Sequence, residues 1–335
     1  MKKIKITPKK EHDQNFLINT KIIKDIIKAI KTNSQSKKAP YFNSILEIGP
    51  GTGAITKELA LLSKEVVAVE IDKTLSIALS SLPKNVTIEY NDALKYLKTL
   101  KSKIQNQKSK PLRNSYSIKS SSGLSYNSTS KFPLTFSFDL VFSSLPYKIC
   151  EPTLKALSTM PGFQIGFFII PLGFYKKIKK SIYFESFFNI THLLNIPKES
   201  FNPIPKSDSC LIKLTKKASL KSNLLLSKNI NSKNSNSKNL ESKTYQNDTS
   251  INYILQKLLS QRTKKAKNAL RDAIIDLSNL NNLEYSTKKQ AEKLIIEIGL
   301  SSKILNTNVY SLSSKELENI KEKLLPLQTK QNHLS

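Results

Sequence analysis

A glycine-rich turn at the end of a short apolar run constrains this chain more than any other feature. Residues Ser44–Ile48 read as a buried strand and lead into Gly49-Pro50-Gly51-Thr52-Gly53-Ala54. Glycines in that place permit a tight turn, close approach of a ligand to the backbone, and close packing of the next helix on the strand. The flanking pattern alternates. Ile18, Ile22, Ile23, Ile26, Ile27 and Ile30 recur at helical spacing. Ala54–Leu62 follows as a helix, Glu65–Val69 as a strand, Lys73–Ser80 as a helix, Val86–Tyr90 as a strand and Asp92–Leu100 as a helix. Phe138–Phe142 and Gln164–Ile170 supply two further strands. Such alternation predicts a parallel sheet covered by helices on both faces. From Ile251 the pattern is purely helical, over Ile251–Leu277, Lys288–Ile298 and Ser314–Leu324. The expected fold class is α/β: a Rossmann-like domain followed by a small α-helical C-terminal domain.

A chain of 335 residues suggests about two domains. The expected division is a first domain over residues 1–215, a low-complexity linker over 216–250 and a helical domain over 251–335, with a low-complexity insertion at about 101–133 inside the first. The formal charge is +29. Lys101–Lys131 is Ser/Lys-rich and carries +7; Lys216–Ser250 is Ser/Asn/Lys-rich and carries +5. Both read as solvated insertions, so +17 stays with the foldable chain. That balance points to a polyanionic partner. The longest apolar stretch, Phe163–Phe174, is too short to span a bilayer, so no membrane association is expected. The basic N-terminus has no apolar run behind it, which argues against a secretory signal. Two Cys and no CxxC fit a reducing, cytoplasmic setting, and with three His no metal site is expected.

Two acids follow the glycine loop. Glu70 closes the second strand, where a carboxylate can accept both ribose hydroxyls of an adenosyl cofactor. Asp92 follows the third strand, where an acid can accept a hydrogen bond from an adenine amino group; its bland role is a helix N-cap before Ala93. Gly49, Gly51 and Ala54 also fit the G-x-G-x-x-A form of a dinucleotide site, which leaves a nicotinamide oxidoreductase as the competing reading. Asp92 tilts the balance to S-adenosylmethionine.

The fourth strand ends in Ser143-Ser144-Leu145-Pro146-Tyr147. This resembles the (Asn/Asp/Ser)-Pro-Pro-(Tyr/Phe) type of motif of methyltransferases acting on exocyclic amines. An adenine N6 lone pair is delocalised into the ring and is a poor nucleophile. A polar side chain and a backbone carbonyl, each accepting one N6–H bond, would aim that lone pair at the methyl carbon. Ser144 and the carbonyl of Leu145 or Pro146 are the candidate acceptors. Tyr147 is the candidate platform for a base taken out of its helix.

With three further segments, these residues make the chain resemble the ribosomal RNA adenine dimethyltransferase family. Asp13-Gln14-Asn15-Phe16-Leu17 resembles its G-Q-N-F-L signature, and Phe201–Ser209 (FNPIPKSDS) resembles its F-x-P-x-P-K-V-D-S. Gln261–Leu270 resembles its basic C-terminal segment. The resemblance covers roughly residues 8–325 apart from the two insertions. It implies dimethylation of N6 on two adjacent adenines near the 3′ end of small-subunit ribosomal RNA, with S-adenosylmethionine as methyl donor. The implied partner is the small-subunit RNA in a pre-ribosomal particle, and the expected state is a monomer. By position, Asn15 and Leu17 would meet the methionine end of the cofactor, Gly49 and Gly51 would line the loop, Glu70 would bind the ribose and Asp92 the adenine. Ser144 would stand where the family has a catalytic Asn and would also contact the cofactor. Ile170-Pro171-Leu172 replaces a Gln-Lys-Glu element of the family. The alternatives are an assembly factor that keeps the fold with weak or no catalysis, and a large-subunit adenine methyltransferase of the resistance type.

Among remaining candidates, Arg262, Lys264, Lys265, Lys267 and Arg271 form a dense basic cluster suited to RNA phosphates. Lys176, Lys177, Lys179 and Lys180 form a second run, either a solvated helix face or a further phosphate contact. Cys150 and Cys210 read as buried, inert thiols.

Overall fold

The computed structural model describes residues 8–9, 11, 13–34, 36, 38–107, 138–217, 241–281 and 285–325, with the backbone alone for 105–107 and 241–249. His12 and most of the two Ser/Lys-rich tracts lie outside the described residues. The chain divides into two compact units, one of residues up to Leu172 together with Thr191–Leu214, the other of Gly173–Ile190 together with Thr215 onward. Among the described residues no helix is long and apolar enough to cross a membrane.

The strands are β1 (Phe16–Leu17), β2 (Phe42–Ile48), β3 (Ser63–Glu70), β4 (Val86–Tyr90), β5 (Leu140–Ser144), β6 (Ile165–Pro171), β7 (Phe188–Ile196), β8 (Phe201–Asn202) and β9 (Ser209–Lys216). Seven of them form one sheet in the order β4-β3-β2-β5-β6-β9-β7. The pairs β2–β3, β2–β5, β3–β4 and β5–β6 are parallel. Strand order reverses between β2 and β5, because the chain lays β3 and β4 on one side of β2 before crossing to β5. That crossover opens a crevice at the carboxyl ends of the strands, the usual ligand position in such sheets. The fold is a Rossmann-like α/β domain with a helical C-terminal part, as the alternating pattern led us to expect.

Helix α1 (Thr20–Thr32) shows why the first element forms. Asn19 caps it by accepting from the Lys21 and Ile22 N–H groups. Ile23, Ile26, Ile27 and Ile30 fall on one face and are buried, each side chain contributing roughly 1.5–3 kcal/mol. They pack in a core with Ile45, Leu59, Phe142 and Phe167 from the sheet and from α2 (Ala54–Ala60). Helices α3 (Ser76–Leu79), α4 (Ala93–Gln107) and α5 (Tyr147–Ser158) follow β3, β4 and β5. Helix α4 runs to Gln107, seven residues beyond Leu100 and into the tract read as an insertion. Its backbone ladder continues there although the apolar stripe that marks the helix in the sequence has ended.

The second unit is helical. It contains α7 (Ile182–Phe187), α8 (Glu241–Ser260), α9 (Ala266–Asn281), α10 (Lys288–Glu297), α11 (Ser302–Asn306) and α12 (Ser314–Leu324), and most of α6 (Leu172–Lys179). Gly173–Ile190, from mid-chain, belongs to it because its apolar side chains need partners. Phe174, Ile178, Ile182, Phe184 and Phe187 are buried, and Gln256 Nε2 donates to the Ser186 carbonyl at 2.7 Å. The expected stretch Ile251–Leu277 is two helices rather than one. Between them, Arg262 and Lys264 offer their carbonyls to Tyr310 and Val309, and Ala266 donates to Thr307. Pairing with residues 307–310 thus replaces the intrahelical bonds. Glu241–Ser250, also read as part of a low-complexity linker, begins α8.

Candidate active site

The parallel register brings the glycine loop, Glu70, Asp92 and Ser144–Tyr147 to one edge of the sheet. Ile48 lies opposite Val69 on one side and Ser143 on the other. Glu70 lies opposite Tyr90, two residues before Asp92. Ser143 Oγ donates to the Ile48 carbonyl at 2.6 Å and fastens the end of β5 to the start of the loop.

Gly49, Gly51 and Gly53 have φ of 74°, 56° and 80°, a left-handed region that side chains rarely adopt. The loop therefore carries no side chains of its own at these three positions, and at Gly49 nothing lies within 4 Å of where a Cβ would stand. Glu70 is buried and holds this cradle: Oε2 accepts from Gly51 N–H at 3.1 Å and Oε1 from Asp72 N–H at 2.9 Å. Burial raises its pKa, against the pull of the Asp72, Gly51 and Ile71 backbone groups. Three backbone groups leave the carboxylate at least one acceptor site for a further donor. Asp92 Oδ1 caps α4 by accepting from Lys95 N–H at 2.9 Å. The capping role is thus realised, and the second oxygen is the one a ligand could use.

The N-terminal motif covers the loop. A Cβ placed on Gly51 would lie 3.0 Å from Phe16 Cδ1. Asn15 Nδ2 donates to the Asp13 carbonyl at 3.1 Å. Asp13 itself has φ 52°; Asp tolerates that region better than most side chains. Leu17 is buried in the core, so a ligand can meet it only through its main chain. β1 pairs antiparallel with β8, joining the Gln14–Leu17 motif to the Phe201–Ser209 motif. Asp208 secures the latter: Oδ1 accepts from Lys198 N–H at 3.0 Å and its carbonyl from Leu172 N–H at 3.0 Å. Thus the segment that stands for Gln-Lys-Glu is a strand end tied to Asp208.

Ser144 is half-buried at the end of β5, and Tyr147 opens α5 with 62% of its surface exposed. Leu145 is buried, which leaves its carbonyl as its usable group. That carbonyl and that of Pro146 already face the Cys150 thiol, at 3.6 and 3.4 Å. Burial, helped by Asp13, pushes the Cys150 thiol up to about 12, which rules it out as a nucleophile at neutral pH. It braces the turn instead.

These residues fit an adenosyl methyl donor by shape and chemistry: a backbone cradle of glycines, a buried acid fixed at its lip, and a second acid two residues past the neighbouring strand. Residues 6–298 match the family model of the ribosomal RNA adenine dimethylases. The chain belongs to that family. Among curated ribosomal RNA adenine dimethylase relatives, it is 26% identical over 309 residues to the Borreliella burgdorferi protein named ribosomal RNA small subunit methyltransferase A, covering 89% of this chain and 88% of that one. The Natranaerobius thermophilus protein of the same name is 28% identical over 235 residues, 67% of this chain and 72% of that one. A crystal structure of a dimethyladenosine transferase from Plasmodium falciparum aligns over 94% of this chain and 98% of its own at 20% identity, with a TM-score of 0.46.

In this member of the family the basic cluster proves heterogeneous. Lys264 Nζ pairs with Asp272 Oδ2 at 2.6 Å, and Arg271 with Glu292 at 3.1 Å. Arg262, Lys265 and Lys267 are exposed. The sequence offered five equivalent cations; the acids that claim two of them lie beyond the cluster.

Sequence reasoning gave no role to Glu47, Lys9 or Asp72. Glu47 is buried at the end of β2, and among the described residues its Oε2 and Thr56 Oγ1 have no hydrogen-bond partner. Burial pushes its carboxyl up to about 8; the Thr56 hydroxyl nearby offsets part of this, and the Glu70 carboxylate adds to it. The only signal in the sequence was an acid inside a strand otherwise apolar at its end.

Proposed function

We propose that this protein transfers methyl groups from S-adenosylmethionine to N6 of adenine in small-subunit ribosomal RNA, at two adjacent adenines near the 3′ end, during ribosome biogenesis. The family match across residues 6–298 carries the reading, and the cradle at the strand ends supports it. In this reading Gly49 and Gly51 receive the methionine end with Asn15 and the Leu17 main chain, Glu70 accepts from the ribose hydroxyls and Asp92 from the adenine amine. When bound, the cofactor would supply a sulfonium methyl: its C–S bond breaks to leave a neutral thioether as the bond to N6 forms, and N6 gives one proton to water for each methyl gained. Ser144 Oγ and the Leu145 or Pro146 carbonyl accept the N6–H groups and aim the lone pair. Tyr147, exposed at the head of α5, stacks on the extruded base. Arg262, Lys265 and Lys267 grip phosphates regardless of sequence. The same reading carries the cytoplasmic setting and the monomeric state.

The test is purified protein with radiolabelled S-adenosylmethionine and unmethylated small subunits. Label on adenine N6 is expected. Absence of label with cofactor binding intact would leave the binding-only assembly factor, which has no observation in its favour. Label on the large subunit instead would select the resistance-type reading.

A further inference from the structure

A closed circuit of contacts links the N-terminal motif to the glycine loop through Asp72. This residue is 2% exposed. Its Oδ1 accepts from Lys9 Nζ at 2.8 Å, from Thr74 N–H at 3.0 Å and from Thr74 Oγ1 at 2.7 Å; its Oδ2 accepts from Gln14 Nε2 at 3.0 Å. Its own N–H donates to Glu70 Oε1 at 2.9 Å. The other Glu70 oxygen holds Gly51, and Phe16 lies against Gly51 two residues after Gln14. A helix-capping role accounts for the Thr74 bonds alone. It does not account for two donors that converge from 58 and 63 positions upstream. Burial by itself would raise the Asp72 pKa, yet the bonds from Lys9, Thr74 and Gln14 outweigh it and hold the carboxyl well below the usual range.

We propose that Asp72 is a positioning residue that fixes the Glu70 carboxylate and clamps Lys9 and Asp13–Leu17 over the glycine loop, so that closure of the N-terminal segment and binding of the adenosyl group are one event. The proposal rests on the reading of Glu70 as the ribose acid. Coupling of this kind is reciprocal: what tightens the segment tightens the ligand, and the ligand tightens the segment by the same factor.

The test uses the full chain carrying Lys9→Met and Gln14→Ala, which spare the Thr74 cap, with Asp72→Asn beside it. Amide hydrogen exchange is followed at Gly51 and Asp72, two backbone donors to Glu70, without ligand. Exchange at both should rise about tenfold in the double variant, within the usual range of coupling between sites. Unchanged exchange would overturn the clamp. With S-adenosylmethionine, the KM for the donor should rise by a similar factor, the loss falling on KM rather than on kcat. A fall confined to kcat would equally overturn it. Thr74→Val removes one bond to Asp72 but no clamp donor, and should leave the KM for the donor unchanged; a tenfold rise there would mean that capping, not clamping, is the role. If the wild-type chain bound no S-adenosylmethionine, the cofactor reading would fail, while the ligand-free exchange would still decide the clamp.

Discussion

Phe16 lies opposite Asn202 in an antiparallel pair that joins two motifs 186 positions apart. The pair is short, yet it is pinned further by Ile18 N–H and Asn19 N–H, which both reach the Ser200 carbonyl at 2.9 and 3.3 Å. Phe201 is 4% exposed and sits opposite Leu17. Phe201→Ala should therefore destabilise the protein by roughly 3–5 kcal/mol. Denaturant unfolding followed by circular dichroism checks this; a loss below 1 kcal/mol, about the scale of a surface change, would mean the pair is not packed as described.

Asp92 caps a helix with one oxygen and, in the proposed reading, accepts from the cofactor with the other, so two substitutions separate the roles. Asn caps as well as Asp. Asp92→Asn should melt like the wild type and bind S-adenosylmethionine more weakly. Asp92→Ala should lose both cofactor affinity and about 1 kcal/mol of stability. Calorimetry and thermal melts read the two effects apart; unchanged affinity in both variants would remove Asp92 from the adenine site.

Glu47 gives a pH dependence of definite sign. Its folded pKa, about 8, lies above the unfolded value of 4.5. Between these values the folded state holds a proton that the unfolded state has lost, so stability is full below the lower value and declines as pH rises through the upper one. Glu47→Gln, which keeps the neutral form, should flatten that decline. Its melting temperature relative to wild type should be higher at pH 8.5 than at pH 5. Parallel curves would show that Glu47 ionises freely in the fold.

In the proposed reaction Ser144→Ala would remove one of the two acceptors for the N6–H groups. Loss of a positioned hydrogen bond at a reacting centre costs about 10²–10³-fold in kcat. Donor affinity should stay within a few-fold, since the cradle is untouched. Single-turnover methylation of small subunits with calorimetric donor binding decides; an unaltered rate would pass the role to the backbone carbonyls alone.

The basic residues should fall into two groups. Neutralising Arg262, Lys265 or Lys267 should each lower the slope of log K against log salt by about 0.7–0.9 for RNA binding. Lys264→Met and Arg271→Met, which break ion pairs with Asp272 and Glu292, should change the slope less. Equal slopes across all five variants would restore the cluster as one surface.

The sheet strands around the site were legible because β2, β3, β5 and β6 bury apolar runs that stop at Gly49, Glu70, Ser143 and Pro171. Val86–Tyr90 matches β4 to the residue. β7 was not legible: only its two ends, Phe188 and Ile196, are buried, so no alternation marks it. β1 and β8 have two residues each and exist only because they pair with each other. No local period can announce such an element. The site residues were visible as residue types at strand ends. The Lys9–Gln14–Asp72 clamp was not, since it depends on where a distant segment lands.

Glu185 waits for Lys321, with which it pairs at 3.0 Å, and Ser186 waits for Gln256. Synthesis runs from the N-terminus, so Gly173–Ile190 leaves the ribosome with its apolar residues uncovered until the last helices arrive. The strands that carry the glycine loop and Ser144 can associate before then. A ribosome that stalled or released early would deliver a nearly complete cofactor sheet bearing a bare aromatic segment, a natural mark for chaperones and proteases.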